Sequence, residues 1–82
     1  NPFNLNTTIH YNLKREGFVN IKIYNTLGNQ VKNFVEEYQT PGKKLVYWDA
    51  TNNQGEIVSA GLYFYTLETT HSSITKKMVL LK

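Results

Sequence analysis

A two-residue rhythm of apolar side chains constrains this chain more than any other feature. Ile9, Tyr11 and Leu13 alternate with Thr8, His10 and Asn12, while Val19, Ile21 and Ile23 alternate with Asn20 and Lys22. Successive side chains of a strand point to opposite faces, so each run predicts a strand with one buried face. Apolar residues nowhere recur at i, i+3, i+4, i+7 for a useful length, so helices are expected to be absent or trivial. Glu16-Gly17 is expected to turn the chain between the first two strands.

The same rhythm places a third strand over residues 31–35 and a fourth over Leu45-Val46-Tyr47-Trp48, whose large side chains on both faces suggest a central position. Ile57-Val58 reads as a short fifth strand, and residues 62–69 and 74–81 complete seven. Turn-forming clusters fall between them at Asn25-Thr26-Leu27-Gly28-Asn29, Thr40-Pro41-Gly42, Asn52-Asn53-Gln54-Gly55 and Ser59-Ala60-Gly61. Seven short strands punctuated in this way predict an all-β fold, a seven-stranded antiparallel β-sandwich of immunoglobulin or fibronectin type III character. The Cys…Trp…Cys framework of a true immunoglobulin domain is missing, because the chain has no cysteine. Buried side chains are expected to include Ile21, Ile23, Trp48, Tyr63 and Tyr65.

Eighty-two residues suit one domain, 1–82, and 40% hydrophobic content with 13% aromatic supplies enough apolar surface to close a core, which argues against disorder. A domain this small buries only about 60% of its unfolded surface, and it has no disulfide to add stability. The net charge of +3 is dispersed over pairs such as Lys14-Arg15, Lys43-Lys44 and Lys76-Lys77, a pattern that does not point to nucleic acid or acidic lipid. The apolar runs Leu62-Tyr63-Phe64-Tyr65 and Met78-Val79-Leu80-Leu81 fall far short of the roughly 20 residues that span a bilayer, so no membrane insertion is expected. The opening Asn1-Pro2, without initiator Met or leader, leads us to expect excision from a longer polypeptide.

The residues offer little catalytic chemistry. Asp49 is the only Asp, and no spacing known for nucleophilic catalysis connects it with His10 or His71 and with Ser59, Ser72 or Ser73. His10 falls out of phase with the apolar residues around it, and His71-Ser72-Ser73 reads as a hairpin between the last two strands. Alternation sends Glu36 and Glu37 opposite ways, which disfavours a catalytic carboxylate pair. The loop from Asp49 to Glu56 alternates oxygen ligands at Asp49, Thr51 and Asn53, but it lacks a second carboxylate there and a bidentate Glu at the right distance, so a hydrogen-bonded turn is expected in preference to a calcium site. Asn6-Thr7-Thr8 satisfies a glycosylation sequon that has meaning only in a secreting eukaryote. Tyr24, Tyr47, Tyr63 and Tyr65 could stack on carbohydrate, although packing explains alternating aromatics better. The domain is accordingly expected to have no enzymatic activity, catalytic residue, metal or cofactor.

Six fragments occur in one order: Asn1-Pro2-Phe3-Asn4; Ile9-His10-Tyr11; Ile23-Tyr24-Asn25-Thr26-Leu27-Gly28; Gly42 followed by Trp48-Asp49; Gly61-Leu62-Tyr63-Phe64-Tyr65; and Lys76-Lys77-Met78-Val79-Leu80-Leu81-Lys82. Together they resemble the type A C-terminal sorting domain of the type IX (Por) secretion system, over essentially the whole chain. The chain is also similar to the immunoglobulin-like domain of flagellar hook-assembly proteins, which shares the Tyr-Asn-x-x-Gly, Trp-Asp and Gly-x-Tyr elements. The lysine-flanked apolar ending favours the former. That resemblance implies a secretion signal at the end of a larger cargo protein of Bacteroidetes-type bacteria. The signal would be recognised by the type IX machinery at the outer membrane, then removed or replaced by a surface anchor, so the protein would pass through the periplasm to the cell surface or the medium. It implies that Lys76, Lys77, Met78, Val79, Leu80, Leu81 and Lys82 are read by the translocon. Asn1, Pro2, Tyr24, Asn25, Gly28, Trp48, Asp49, Gly61 and Tyr63 would be structural motif positions. The alternative is a passive immunoglobulin-like accessory module of hook-assembly, scaffold or carbohydrate-binding type.

Overall fold

The computed structural model describes residues 7–81, with the backbone alone at Val35. Asn1, Pro2 and Lys82 of the expected motifs lie outside the described residues. Six strands follow in order: β1 (Thr7–Leu13), β2 (Gly17–Tyr24), β3 (Gln30–Gln39), β4 (Gly42–Trp48), β5 (Gly61–Thr69) and β6 (Ser73–Leu80). A single antiparallel bridge between Thr51 and Ile57 adds the short seventh β element where Ile57-Val58 was expected to be a strand. It extends no further because the intervening residues form a turn around Asn52, whose side chain accepts from the amides of Gln54 and Glu56 at 3.0 Å each.

The strands form two antiparallel sheets, one of β1-β4 and one in the order β3-β2-β5-β6. β1 and β2 therefore lie in different sheets, and the chain crosses between layers through Lys14-Arg15-Glu16. Alternation decides which face each strand buries. Ile9 and Leu13 of β1 and Val19, Ile21 and Ile23 of β2 are buried, while their neighbours are exposed or half-buried. Trp48 of β4 packs edge-on against Tyr63 of β5 with ring centroids 5.3 Å apart, which joins the two layers through an aromatic pair. The expected core residues Ile21, Ile23, Trp48, Tyr63 and Tyr65 are all buried, together with Ala50 and Leu80.

Two features differ from the sequence expectation. β3 extends to Gln39 and accommodates two register shifts against β2, so its hydrogen bonding continues through Glu36-Glu37. β4 is not central: among the described residues it pairs only with β1, and its outward Leu45 and Tyr47 are 63% and 57% exposed. Large side chains on both faces suggested two packed faces, yet among the described residues no third layer covers the outer one.

Candidate functional site

Of the expected recognition segment, residues 76–80 lie on the last strand of the larger sheet. β6 pairs with β5 on one side, in a register that sets Ile74 opposite Leu67, Lys76 opposite Tyr65, Lys77 opposite Phe64 and Met78 opposite Tyr63. Among the described residues its other side has no partner strand, leaving a row of backbone donors and acceptors along an edge. Directly opposed residues share a face, so Ile74, Lys76, Met78 and Leu80 lie on the inner face with buried Tyr65 and Tyr63, while Lys77 and Val79 lie on the outer one. Leu80 is fully buried and anchors the strand in the core, whereas Val79 and Leu81 are exposed. The segment thus combines one anchor, an exposed apolar pair and lysines on both faces. An inward-pointing lysine on an edge strand also disfavours unspecific edge-to-edge pairing.

The remaining motif residues build turns and one aromatic node. Asn25 accepts from the amides of Leu27 and Asn29 through its side chain at 3.0 Å each, and its carbonyl accepts from Gly28 at 3.0 Å. Gly28 adopts φ +87°, a left-handed conformation that a residue with a Cβ adopts at a cost. Gly61 opens β5 at φ +146°, and two residues on Tyr63 donates its hydroxyl to the carbonyl of Ser59 at 2.6 Å, which ties the strand entry down. Trp48 Nε1 donates to the carbonyl of Thr51 at 2.9 Å, and the Thr51 hydroxyl donates to Asp49 Oδ1 at 2.6 Å. The bond from Thr51, helped by the nearby charge of Lys32, holds the Asp49 carboxyl below the usual carboxylate range. Tyr24, half-buried, completes the turn strand.

Sequence reasoning missed one device. Lys32 Nζ donates to the Thr51 hydroxyl at 3.4 Å and to the carbonyl of Asn52 at 3.2 Å. Asn53 accepts from the Asn33 amide through its side chain at 3.0 Å, and its own amide donates to the Val31 carbonyl at 3.1 Å. The loop after β4 therefore covers the first half of the β3 edge with side-chain and backbone bonds, a protection that β6 lacks among the described residues. No signal short of the tertiary fold brings residues 31–33 and 51–53 together.

The structure brings together no catalytic set from the candidates weighed. His10 lies exposed on the outer side of β1 and His71 in the β5–β6 hairpin. Glu37 is opposite Val19 and Glu36 opposite Asn20, on opposite faces as alternation requires. Among the described residues no group of three His, Asp or Glu side chains is placed to hold a metal ion. The loop from Asp49 to Glu56 is the hydrogen-bonded turn expected of it, and among the described residues no helix is long and apolar enough to cross a membrane.

Comparison with known proteins gives a similar fold and a family. A solved structure similar in fold is FlgD from Xanthomonas campestris, a protein of hook capping in flagellar assembly, with a TM-score of 0.72 at 24% identity over 94% of this chain. The chain spans 56% of the length of that FlgD chain, and the likeness shows the shared sandwich. No curated protein matches the sequence. The family model of the CHU_C type IX secretion signal domain matches residues 3–81, nearly the whole chain, and the chain belongs to that family of type IX secretion signal domains.

Proposed function

We propose that this domain is a C-terminal secretion signal that directs a cargo protein in the same polypeptide across the outer membrane by the type IX system. After passage from the periplasm it is removed, or the protein is attached at the cell surface. The observation that carries the proposal is membership of the type IX secretion signal family over residues 3–81. The role of the tail is supported by its placement: Lys76, Lys77, Met78, Val79 and Leu81 lie on or just beyond an edge strand that a partner's strand could extend. Lysine charges would orient the encounter and make its rate salt-sensitive. Lys82 continues the pattern in sequence. The domain itself performs no catalysis and needs no cofactor or metal, and any enzyme activity belongs to the cargo. It binds no nucleic acid and does not insert in the membrane.

The test fuses the chain to a folded reporter in a host with type IX secretion. The intact domain is compared with Lys76→Ala plus Lys77→Ala and with a variant lacking the last residues. Periplasmic retention of the variants, with amide exchange showing an intact sandwich, supports recognition through the tail. Normal secretion of both assigns the tail to folding alone. A second reading, a passive accessory module, is favoured by the fold shared with FlgD. It predicts that the fusion stays in the periplasm whatever its tail.

A further inference from the structure

The two layers are unequal, since two strands face four. The consequence appears along the inner row of β6, where Leu80 is fully buried at one end and Ile74 is 45% exposed at the other. Ile74 faces inward, because it is opposite Leu67, which is itself opposite buried Ile21. The sandwich is therefore closed at the Leu80 end and open at the Ile74 end. A cleft of about 520 Å³ lies there, floored by Leu67 and Ile74 and walled by Tyr11 and Leu13 of β1. Lys14, Arg15 and His71 line its rim, and among the described residues no acidic side chain does. No described strand pairs with the edge of β1 that β4 leaves open.

We infer that this cleft receives an extended acidic and apolar peptide segment of another protein, which adds as a strand beside β1. Each property of the site selects one property of the occupant. A half-exposed apolar floor between two sheets calls for alternate apolar side chains pointing inward, the spacing an added strand supplies. The β1 edge calls for a backbone able to hydrogen-bond along its length. The basic rim calls for carboxylates on the remaining positions, at the ends where Lys14, Arg15 and His71 stand. The site is separate from the lysine tail, which lies toward the other end of β6, so it stands whether or not the tail is read by a translocon.

The probe is a synthetic peptide of about six residues alternating glutamate and valine, titrated into the 82-residue chain and followed by amide NMR. Shifts concentrated at residues 11–15 and 67–74, weakening with salt, are expected. Lys14→Glu plus Arg15→Glu, both at exposed positions, should weaken binding by about tenfold while circular dichroism shows the fold retained. Ile74→Asn should weaken it independently of salt. A backbone N-methylated version of the peptide, unable to pair, should lose binding. The inference is overturned if the peptide does not bind, if a lysine-valine counterpart binds equally well, if the shifts map to β3 or β4, or if acetate alone reproduces them.

Discussion

Replacing Trp48 tests the packing argument most severely. Its side chain is fully buried, meets Tyr63 edge-on at 5.3 Å and donates from Nε1 to the Thr51 carbonyl at 2.9 Å. Trp48→Ala removes all three contributions and leaves a void between the layers, for a cost of about 3–5 kcal/mol. A domain of 82 residues has a total stability of about 4–12 kcal/mol, so this variant should lose a large share of it and unfold at a much lower urea concentration. Trp48→Phe keeps an aromatic ring against Tyr63 but leaves the Thr51 carbonyl without its donor, for a loss of about 1–3 kcal/mol. Urea unfolding followed by far-ultraviolet circular dichroism gives both values without relying on the tryptophan signal. A cost below about 1.5 kcal/mol for the alanine variant, or equal costs for the two, would refute the claim that Trp48 is the node joining the sheets.

Tyr63→Phe deletes the 2.6 Å bond to the Ser59 carbonyl and should cost about 1 kcal/mol in the same assay, with no change in overall fold. Gly28→Ala places a Cβ at φ +87° where no neighbouring atom lies within 4 Å, so its cost of about 1 kcal/mol should come from backbone strain alone, and Gly28→Asn should cost less. Asp49 titrates below its ordinary range in the folded state, so its contribution to stability is present above the unfolded carboxylate pKa and is lost as pH falls through the lower folded value. Solvent screening keeps that contribution small, and the stability gap between the native domain and Asp49→Asn, measured by urea unfolding, should close on going from pH 6 to pH 2.

Strand positions and the buried face were readable because side-chain alternation is a local property. Val19, Ile21 and Ile23 declare their face without reference to any other strand. Partnership was not readable in the same way: Leu45 and Tyr47 look like residues of a strand packed on both sides, and only the sheet order reveals that β4 stands in a two-stranded layer. Asn25 and Gly28 were legible as a turn because an Asx side chain and a positive φ are local demands. The bonds from Lys32 and Asn53 between β3 and the loop after β4 join residues about twenty apart in sequence, and polar side chains in that number carry no mark of which will meet. The tail stood out by its composition, while the inward direction of Lys76 emerged only once the register against Tyr65 was known. The open cleft was equally invisible, since it results from the mismatch of a two-stranded and a four-stranded layer.

On the function proposed above, the folded domain is sufficient to route cargo through type IX secretion. The most direct measurement is the distribution of a reporter carrying residues 1–82 among periplasm, cell surface and medium, compared between a type IX-competent strain and one lacking the translocon. Surface or extracellular reporter is expected in the first strain and periplasmic reporter in the second. Retention in the periplasm of both strains, or export in both, would contradict it.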